Sequence, residues 1–446
     1  MTSFKKPWGR TARPALIRAA GLGREALWVG LGQALAAGAG VFGVRVFSGL
    51  LDPSTYGRLA LALTFAALLQ QLLFGPLAAA LLRFFAPAQE AKALEAYRGA
   101  GLHLFARASV LLSAVTSAIA AVLFLTGRIR GVGLLAVTLA FALFSGYNAA
   151  ADAVQSAARQ RAIVAMHQGL GQWLRVAGGA GLAWLVAPVA SLVMLGYALA
   201  SGLVLVSQQV FLRRLFGASR REQPPAREAD WSSRIRNYAS PFALWGLFTW
   251  AQGASDRWAL QLLDSTASVG SYAVLYQLGY YPIALLTNSM VQLLSPMLFR
   301  RAGDASDVVR MDEVRRLSRR LLSFSFALTA LGGLLAQWLH EPIFALLVAP
   351  PYRAVAPLLP LMVVSGGLFA SGQVAILSLL SDTRTDPLIR PKIVTALLGV
   401  ALNLAGAWLF GLRGVVGGVL VFSAAYLAWV LRLLHEARPP GRVEPA

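Results

Sequence analysis

The sequence contains no cysteine, and it has few charged residues for its length. Without cysteine the chain forms no disulfide framework and carries no thiolate chemistry. The four histidines lie far apart and show no metal-ligand spacing: His103, His167, His340 and His435. Charged residues make up 13% of the 446 positions, whereas soluble domains average roughly 25%. These absences exclude a disulfide-stapled domain and argue against a soluble globular protein.

Long apolar runs occupy most of the sequence instead. Hydrophobic residues make up 57% of the chain, and about 20 in succession are needed to cross a bilayer core. Twelve such runs predict an all-α polytopic membrane protein: 26–51, 59–82, 104–125, 132–153, 162–186, 189–212, 238–263, 270–294, 321–339, 358–380, 393–412 and 415–434. Between the ninth and tenth runs, residues 341–352 either lie along the membrane interface or re-enter the bilayer.

Positive charge is in excess and unevenly placed. The chain has 40 Lys and Arg residues against 19 Asp and Glu residues. Most of the basic residues lie in the tails and in the loops after even-numbered segments, which predicts cytoplasmic termini by the positive-inside rule. This placement favours contacts with anionic lipid headgroups over nucleic acid. No nucleic-acid partner is expected.

Two stretches of the sequence repeat one another. Arg45-Val-Phe-Ser-Gly-Leu-Leu-Asp52-Pro-Ser-Thr-Tyr-Gly57 recurs as Arg257-Trp-Ala-Leu-Gln-Leu-Leu-Asp264-Ser-Thr-Ala-Ser-Val-Gly270, with one residue inserted before the final glycine. Each copy ends one apolar run and opens the next. Since six segments per half is an even number, the two halves should be parallel repeats around a central cavity, as in transporters whose halves rock about a central site.

The repeat divides the chain into five predicted regions. A basic cytoplasmic tail (1–25) precedes an N-terminal six-helix bundle (26–212). A charged, proline-containing linker (213–237) leads to a C-terminal six-helix bundle (238–434) and a cytoplasmic tail (435–446). Pro224 and Pro225 favour an exposed connection at the linker.

Polar residues inside the apolar runs are the candidates for function, because an ionisable group in hydrocarbon is costly. Helical spacing places Ser145, Asn148, Asp152 and Gln155 on one face, and Gln168, Gln172 and Arg175 on another. Such faces either line an aqueous cavity or bond between helices. Asp152 either pairs with Arg175 or faces the cavity. Arg45 and Arg257 either reach into the cavity or extend to headgroup phosphates.

Several motifs together resemble those of bacterial polysaccharide-biosynthesis flippases. They are the stretch from Arg45 to Gly57, Asp256-Arg257 with Val269-Gly270-Ser-Tyr272, and Leu402-Asn403-Leu404 with Gly411-Leu-Arg-Gly414-Val-Val-Gly417-Gly418. This is the O-antigen and exopolysaccharide branch of the multidrug/oligosaccharidyl-lipid/polysaccharide exporter (MOP) superfamily. The resemblance spans essentially the whole chain. It implies two six-helix bundles around a central cavity and alternating-access export of an undecaprenyl-diphosphate-linked oligosaccharide from the cytoplasmic to the outer leaflet of the bacterial inner membrane.

The resemblance also suggests roles for individual residues. Arg45, Arg257 and Arg175 are the candidates for binding the diphosphate, because a guanidinium stays charged and binds phosphate oxygens in a bidentate fork. Asp256 and Asp152 are the candidates for coupling to a proton or sodium ion, and no other cofactor is expected. Polysaccharide polymerase and chain-length proteins are further partners that such a family suggests. The sugar-binding candidates are Gln70, Gln71, Gln168, Gln172, Trp245 and Trp250.

Other functions remain open at this stage. A drug or metabolite exporter of the same superfamily would have the same fold, although it would favour acidic residues in the membrane for cationic substrates. A membrane-embedded glycan enzyme usually carries acidic or histidine-rich motifs on large outer loops, and the longest predicted outer loop holds one carboxylate, Glu341. The sequence therefore favours a transporter without catalytic activity.

Overall fold

The computed structural model describes residues 12–217, 228–287, 308–381 and 389–436. Within these ranges the chain is helical and contains no strand. Parts of four predicted features lie outside the described residues: the N-terminal tail (1–25), the C-terminal tail (435–446), the linker (213–237) and the eighth apolar run (270–294).

The described residues form the following helices. In chain order they are α1 (Ala12–Leu50), α2 (Pro53–Leu69), a π-helical segment (Gln70–Phe74), α3 (Gly75–Glu90), α4 (Leu94–Leu125), α5 (Ile129–Ala157), α6 (Arg161–Leu185), α7 (Ala190–Gly217), α8 (Glu228–Leu263), α9 (Thr266–Leu278), α10 (Val308–Leu347), a 3-10 helix (Pro350–Leu358), α11 (Leu359–Ser381) and α12 (Ile389–Glu436). Residues 280–287 are also helical.

Eight helical stretches of the described chain are long and apolar enough to cross a bilayer. These stretches expose large apolar side chains such as Leu125 (82%), Trp338 (81%) and Trp408 (74%). Contiguous exposed apolar surface of this kind requires an apolar solvent. The chain is therefore a multi-pass membrane protein, and the all-α membrane fold is confirmed. The count of twelve transmembrane helices stays a prediction.

One of the eight stretches contains two of the predicted segments. Helix α12 bends at Gly411, which has φ 56° and ψ −136°. A left-handed backbone favours glycine, and a Cβ at this position would lie 2.8 Å from Asp264 Oδ2. The runs predicted at 393–412 and 415–434 are thus the two arms of α12, and the bend lies against the turn between α8 and α9.

The repeated motif forms a helix cap in each half. Asp52 caps α2, and its carboxylate accepts hydrogen bonds from the backbone N–H groups of Ser54 and Thr55 and from the Thr55 hydroxyl. The hydroxyl bond and the backbone bonds lower the pKa of Asp52, because they favour the charged form. In the second half the cap is Ser265, whose hydroxyl accepts from Ser268 N–H. A shared requirement of helix capping therefore explains much of the repeat.

The caps correct the register of the two copies. Helix α1 ends at Leu50 two residues before its cap, and α8 ends at Leu263 two residues before Ser265. Asp52 therefore corresponds to Ser265, not to Asp264, and Arg257 corresponds to Val44. The expected match of Arg45 with Arg257 is wrong by one residue, which is about 100° around a helix.

The two halves meet at one end through this same motif. A Cβ on Gly57 would overlap the carbonyl oxygen of Thr266, and a Cβ on Gly270 would overlap that of Pro53. Pro53 and Thr266 each directly follow the cap of their own half, so the contact is reciprocal. The N-termini of α2 and α9 therefore approach backbone to backbone about a local two-fold axis, which supports the parallel arrangement of the repeats.

The segment between the predicted ninth and tenth runs completes the closure of this end. Residues 341–347 continue α10, and Pro350–Leu358 forms the 3-10 helix. The backbone N–H of Ala349 donates to Ser48 Oγ (3.2 Å), and the fully buried Tyr352 hydroxyl donates to the carbonyl of Leu51 (2.8 Å). We call this end of the molecule, where the α1–α2 and α8–α9 turns lie, the sealed end.

Two buried clusters hold the halves together. The N-terminal cluster draws its residues from α1 to α7 and also includes Trp231, Ile235 and Ala239 of α8. The C-terminal cluster includes Val44 and Ala60 from the first half. Each half thus contributes residues to the core of the other, and α8 packs on both bundles. The predicted division into bundles at 212 and 238 stays a prediction.

Candidate functional site

A cavity of about 650 Å³ lies between the two halves, next to the sealed end. This volume lies within the range of roughly 300 to 1,000 Å³ that ligand sites occupy. Helices α1, α2, α5, α6 and α7 of the first half and α8 and α9 of the second contribute its walls. Its polar and aromatic lining residues are Phe47, Tyr56, Thr64, Gln71, Phe141, Gln172, Arg175, Tyr197, Thr249, Trp250, Arg257, Tyr276, Gln277 and Tyr281.

Two arginines line the cavity, one from each half. Arg175 belongs to α6 and Arg257 to α8. Among the described residues, the lining of this cavity includes no aspartate and no glutamate. The lining therefore contributes two guanidinium groups, and the carboxylate of Asp256 pairs with the guanidinium of Arg257 from behind the wall.

Arg257 is held in place by a group of residues behind the cavity wall. Its Nη1 donates to Asp256 Oδ1 (3.2 Å) and to the carbonyl of Gly253 (3.1 Å). Its guanidinium carbon lies 4.3 Å from the centre of the Tyr276 ring and 5.7 Å from that of Tyr272. Cation–π contact and an ion pair together fix a side chain that is 12% exposed. The guanidinium is thus oriented before any ligand arrives.

Asp256 does not line the cavity. The residue is 4% exposed, and its second oxygen accepts a hydrogen bond from the Tyr272 hydroxyl (2.6 Å). Both carboxylate oxygens are therefore bonded within the protein. The structure places this ion-coupling candidate as the partner of Arg257, and its role in coupling stays a prediction.

One guanidinium nitrogen of Arg175 is not hydrogen-bonded in the described part of the chain. Its guanidinium carbon lies 5.8 Å from the centre of the Phe141 ring. Its buried Nε donates to no acceptor in the described part of the chain. Buried polar groups are nearly always hydrogen-bonded, and a charged donor is the most costly to leave unpaired. The arrangement suits an anion that enters the cavity and accepts from this nitrogen.

Asp152 pairs with glutamines, not with Arg175. Its carboxylate accepts from Gln168 Nε2 (3.0 Å) and Gln208 Nε2 (2.7 Å), and it forms no ion pair with Arg175 among the described residues. Asn148 of the same face donates to the carbonyl of Ser201 on α7 (2.9 Å). The polar face of α5 therefore bonds α5 to α6 and α7 inside the first half. Neither Asp152 nor Gln168 lines the cavity.

Gln70 and Gln71 point in different directions because they open the π-helical segment. The N–H of Gly75 bonds to the carbonyl of Gln70, five residues earlier, and such π turns are frequent at functional sites. Gln70 donates to the carbonyl of Ala142 and to Ser145 Oγ, both at 2.7 Å. Gln71 is exposed and lines the cavity. Only the second glutamine is therefore placed to meet a ligand.

Of the remaining candidate residues, two line the cavity and two do not. Gln172 and Trp250 line the cavity, and Trp250 Nε1 donates to the carbonyl of Thr64 across the two halves (2.6 Å). Trp245 lies on α8 but is not part of the lining. Arg45 is exposed and also lies outside it, while its neighbour Val44 is buried in the wall. Arg45 therefore does not line the cavity in this structure, and its role in substrate binding stays a prediction.

Sequence reasoning missed most of the aromatic lining. Tyr272, Tyr276 and Tyr280 follow one another at intervals of four, which places them on one helical face, and the rings of Tyr276 and Tyr280 stack at 4.8 Å. That spacing was the available signal for Tyr276. Phe47, Phe141 and Tyr197 form a second aromatic group in which Tyr197 lies 6.0 Å from each phenylalanine ring, and no local pattern links these three.

A single cysteine at Gln71 should react with a water-soluble maleimide much faster than one at Gln70. The reason is that Gln71 lines the cavity, whereas Gln70 bonds to α5. The chain has no cysteine of its own, so each variant carries one reporter. Labelling of detergent-solubilised protein, read by mass, measures both rates. Equal rates would contradict the placement of the π-helical segment, and Gln155→Cys, at a fully buried position, supplies the protected control.

No protein-family model and no curated protein matches the sequence. Solved structures, in contrast, match over nearly the whole chain. An inward-facing MATE family multidrug resistance transporter of the MOP superfamily has a TM-score of 0.63 and 16% identity, with 91% of this chain and 94% of that chain covered. The lipid II flippase MurJ, in an inward closed conformation, has a TM-score of 0.61 and 11% identity, with 92% and 87% covered.

A third structure bears on the charge of the cavity. It is a MOP superfamily transporter from Pyrococcus furiosus that is described as having a binding pocket of reverse polarity, which suggests a different function for it. Its TM-score is 0.55 at 15% identity, with 93% of this chain and 94% of that chain covered. All three are named as transporters or flippases. The chain therefore has the fold of the MOP superfamily transporters.

Proposed function

We propose that this protein is a flippase that moves an undecaprenyl-diphosphate-linked oligosaccharide, an O-antigen or exopolysaccharide repeat unit, from the cytoplasmic to the outer leaflet of the bacterial inner membrane. The observation that supports this most is the pair of arginines in a cavity that no aspartate or glutamate of the described chain lines. A diphosphate carries at least two negative charges, and its transfer into hydrocarbon costs far more than thermal energy unless other groups replace its hydration. Arg175 and Arg257 replace that hydration.

The two arginines suit phosphate oxygens in different ways. Arg257 is fixed by Asp256 and by Tyr276 and so presents a pre-oriented guanidinium. Arg175 offers a buried, unbonded Nε. Bonds from a guanidinium to phosphate are charge-assisted and often bidentate, so both groups hold the diphosphate in the cavity while access changes from one side of the membrane to the other.

The rest of the lining suits a sugar. Gln71, Gln172 and Gln277 offer amide groups that both donate and accept hydrogen bonds. Trp250 and the tyrosines Tyr276 and Tyr281 offer aromatic faces, which pack against the apolar C–H side of a sugar ring. The cavity encloses the diphosphate and the first sugars, while the polyprenyl chain stays in the bilayer.

Alternating access follows from where the cavity is closed. The sealed end corresponds to the outer side under the positive-inside orientation. With the sealed end closed, the cavity therefore receives its substrate from the cytoplasmic side. Parting of Gly57 from Gly270 then opens the outer side. Asp256 and Asp152 remain the candidates for coupling to a proton or sodium ion, and polymerase and chain-length proteins remain the proposed partners.

A drug exporter is the second candidate, because the first structural match is a multidrug transporter. Cationic drugs require negative charge in the cavity, and the lining of this one is positive. The description of reverse pocket polarity in another transporter of this fold gives precedent for a changed substrate charge. The charge of the cavity favours an anionic substrate.

The test is to reconstitute the purified chain in liposomes with a fluorescent undecaprenyl-diphosphate-linked oligosaccharide. We expect protein-dependent movement of the label between leaflets, read by a membrane-impermeant quencher. A neutral polyprenyl glycoside of the same sugars should stay in its leaflet, because it does not satisfy the arginines. Transport of a lipophilic cation such as ethidium, without movement of the lipid-linked sugar, would overturn the proposal in favour of drug export.

A further inference from the structure

A second cavity lies inside the first half, away from the central one. It measures about 110 Å³ and lies between α4 and α7, with α5 and Leu81 of α3 behind it. It shares no lining residue with the central cavity. The proposed transport takes place in the central cavity and gives this second cavity no role. Its lining therefore has to be examined for a ligand of its own.

The inside of this cavity is apolar and aromatic. Phe105, Tyr147, Val154 and Phe216 line it together with small residues of α4 and α5. Of the two lining tyrosines, Tyr97 donates its hydroxyl to the carbonyl of Leu81 (2.7 Å), and the hydroxyl of Tyr147 accepts from Ser109 Oγ (3.3 Å). The interior thus offers apolar surface and suits a hydrocarbon chain.

The rim of the cavity is basic. Arg98 lies one turn into α4 and Arg213 lies in the last turns of α7, so both are at the end of the molecule opposite the sealed end. The Arg98 guanidinium carbon lies 5.4 Å from the centre of the Phe216 ring, which holds it at the mouth. Its ion pair with Glu95 is long (3.4 Å) and exposed. Arg213 forms no ion pair within the described residues.

We propose that this cavity binds one anionic phospholipid of the surrounding bilayer. The phosphate lies between Arg98 and Arg213, and part of one acyl chain enters the apolar interior over the exposed Leu102. Charge complementarity selects this occupant, since the positive-inside orientation places both arginines at the cytoplasmic leaflet, where basic pockets between helices bind anionic headgroups. The inference does not rest on the proposed flippase function.

The position of the site gives the lipid a structural role. It lies between two helices that both pack on α5, and its lining residue Tyr97 contacts Trp231 of α8 edge to face at 6.2 Å. A lipid bound here therefore stabilises the contact between the first half and the start of α8. We expect bound phosphatidylglycerol to raise the thermal stability of the purified protein more than phosphatidylcholine does.

The test measures retention of lipid by the purified, full-length protein. Dioleoyl phosphatidylglycerol and dioleoyl phosphatidylcholine are titrated separately, and bound lipid is counted by native mass spectrometry. We expect one phosphatidylglycerol to bind to the natural protein, and the variant Arg98→Gln with Arg213→Gln to bind it about thirtyfold more weakly, since each arginine near a membrane surface contributes about 1 kcal/mol. Arg58→Gln with Arg128→Gln removes two exposed arginines at the sealed end and should bind as the natural protein does.

Three outcomes would overturn the proposal. The first is that the Arg98/Arg213 variant retains as much phosphatidylglycerol as the natural protein does. The second is that the natural protein binds the two phospholipids equally. The third is that inorganic phosphate or undecaprenyl phosphate displaces phosphatidylglycerol. Displacement by inorganic phosphate would identify a simple anion site, and displacement by undecaprenyl phosphate would identify an entry site for substrate. Ala150→Leu, which narrows the interior without changing the rim, should also weaken binding of phosphatidylglycerol.

Discussion

Replacement of Arg257 with alanine should reduce transport of the lipid-linked oligosaccharide by roughly 100-fold, which corresponds to about 3 kcal/mol for the loss of charge-assisted bonds to phosphate. The effect should be large because, among the described residues, Arg257 is one of two charged residues that line the central cavity. Arg257→Lys should cost less, since lysine keeps the charge and loses the bidentate geometry. The measurement is leaflet exchange of the labelled substrate in liposomes.

The matched control is Arg45→Ala, which removes an arginine from the corresponding stretch of the other half. Arg45 is exposed and does not line the cavity, so its loss should leave transport nearly unchanged. Because Arg257→Ala also leaves Asp256 without its ionic partner, the double variant Arg257→Ala with Asp256→Asn controls for misfolding. Near-normal transport by a folded Arg257→Ala protein would end the claim that this arginine binds substrate.

Gly57→Ala should open the sealed end. Its new Cβ would overlap a backbone carbonyl of α9, and a backbone cannot move aside as a flexible side chain does. Overpacking of this kind costs about 2 kcal/mol, which would shift the equilibrium away from the closed outer side by about thirtyfold. A single cysteine at Ala60, a buried residue of the cavity wall, should then react with an impermeant maleimide added from outside.

Gly49→Ala is the control for this experiment, because Gly49 lies on α1 near the same end and a Cβ there would meet nothing within 4 Å. It should leave the labelling of Ala60→Cys unchanged. Gly270→Ala should behave as Gly57→Ala does, since the contact is reciprocal. Unchanged labelling in both interface variants would show that the glycine contact does not close the cavity.

The apolar pattern predicted the fold well because it follows directly from the bilayer. Runs of about 20 apolar residues have few physical explanations other than membrane spans. The repeated stretches are also where the two halves meet in the structure, which the sequence did not predict. The register was one residue off, because the sequence aligned Asp52 with Asp264 by identity, whereas the structure aligns Asp52 with Ser265 by their common function as caps.

The site was predictable only in part. Helical spacing placed Gln172 and Arg175 on the same face, and both line the cavity. The same reasoning placed Asp152 and Gln168 on polar faces, but those faces bond to one another and to Gln208 of α7. Periodicity shows that a face is polar; it does not show which helix covers that face. The π turn at Gln70 added a local rotation that a regular helical period does not contain.

The reciprocal glycine contact also constrains how the gene can vary. An enlarged side chain in a protein core is often compensated by a smaller residue opposite it. The groups that face Gly57 and Gly270 are the main-chain carbonyls of Thr266 and Pro53. No amino-acid substitution makes a main-chain carbonyl smaller. Second-site suppressors of Gly57→Ala should therefore be absent from α9 and should arise in distant elements that favour closure, such as the 3-10 helix around Tyr352.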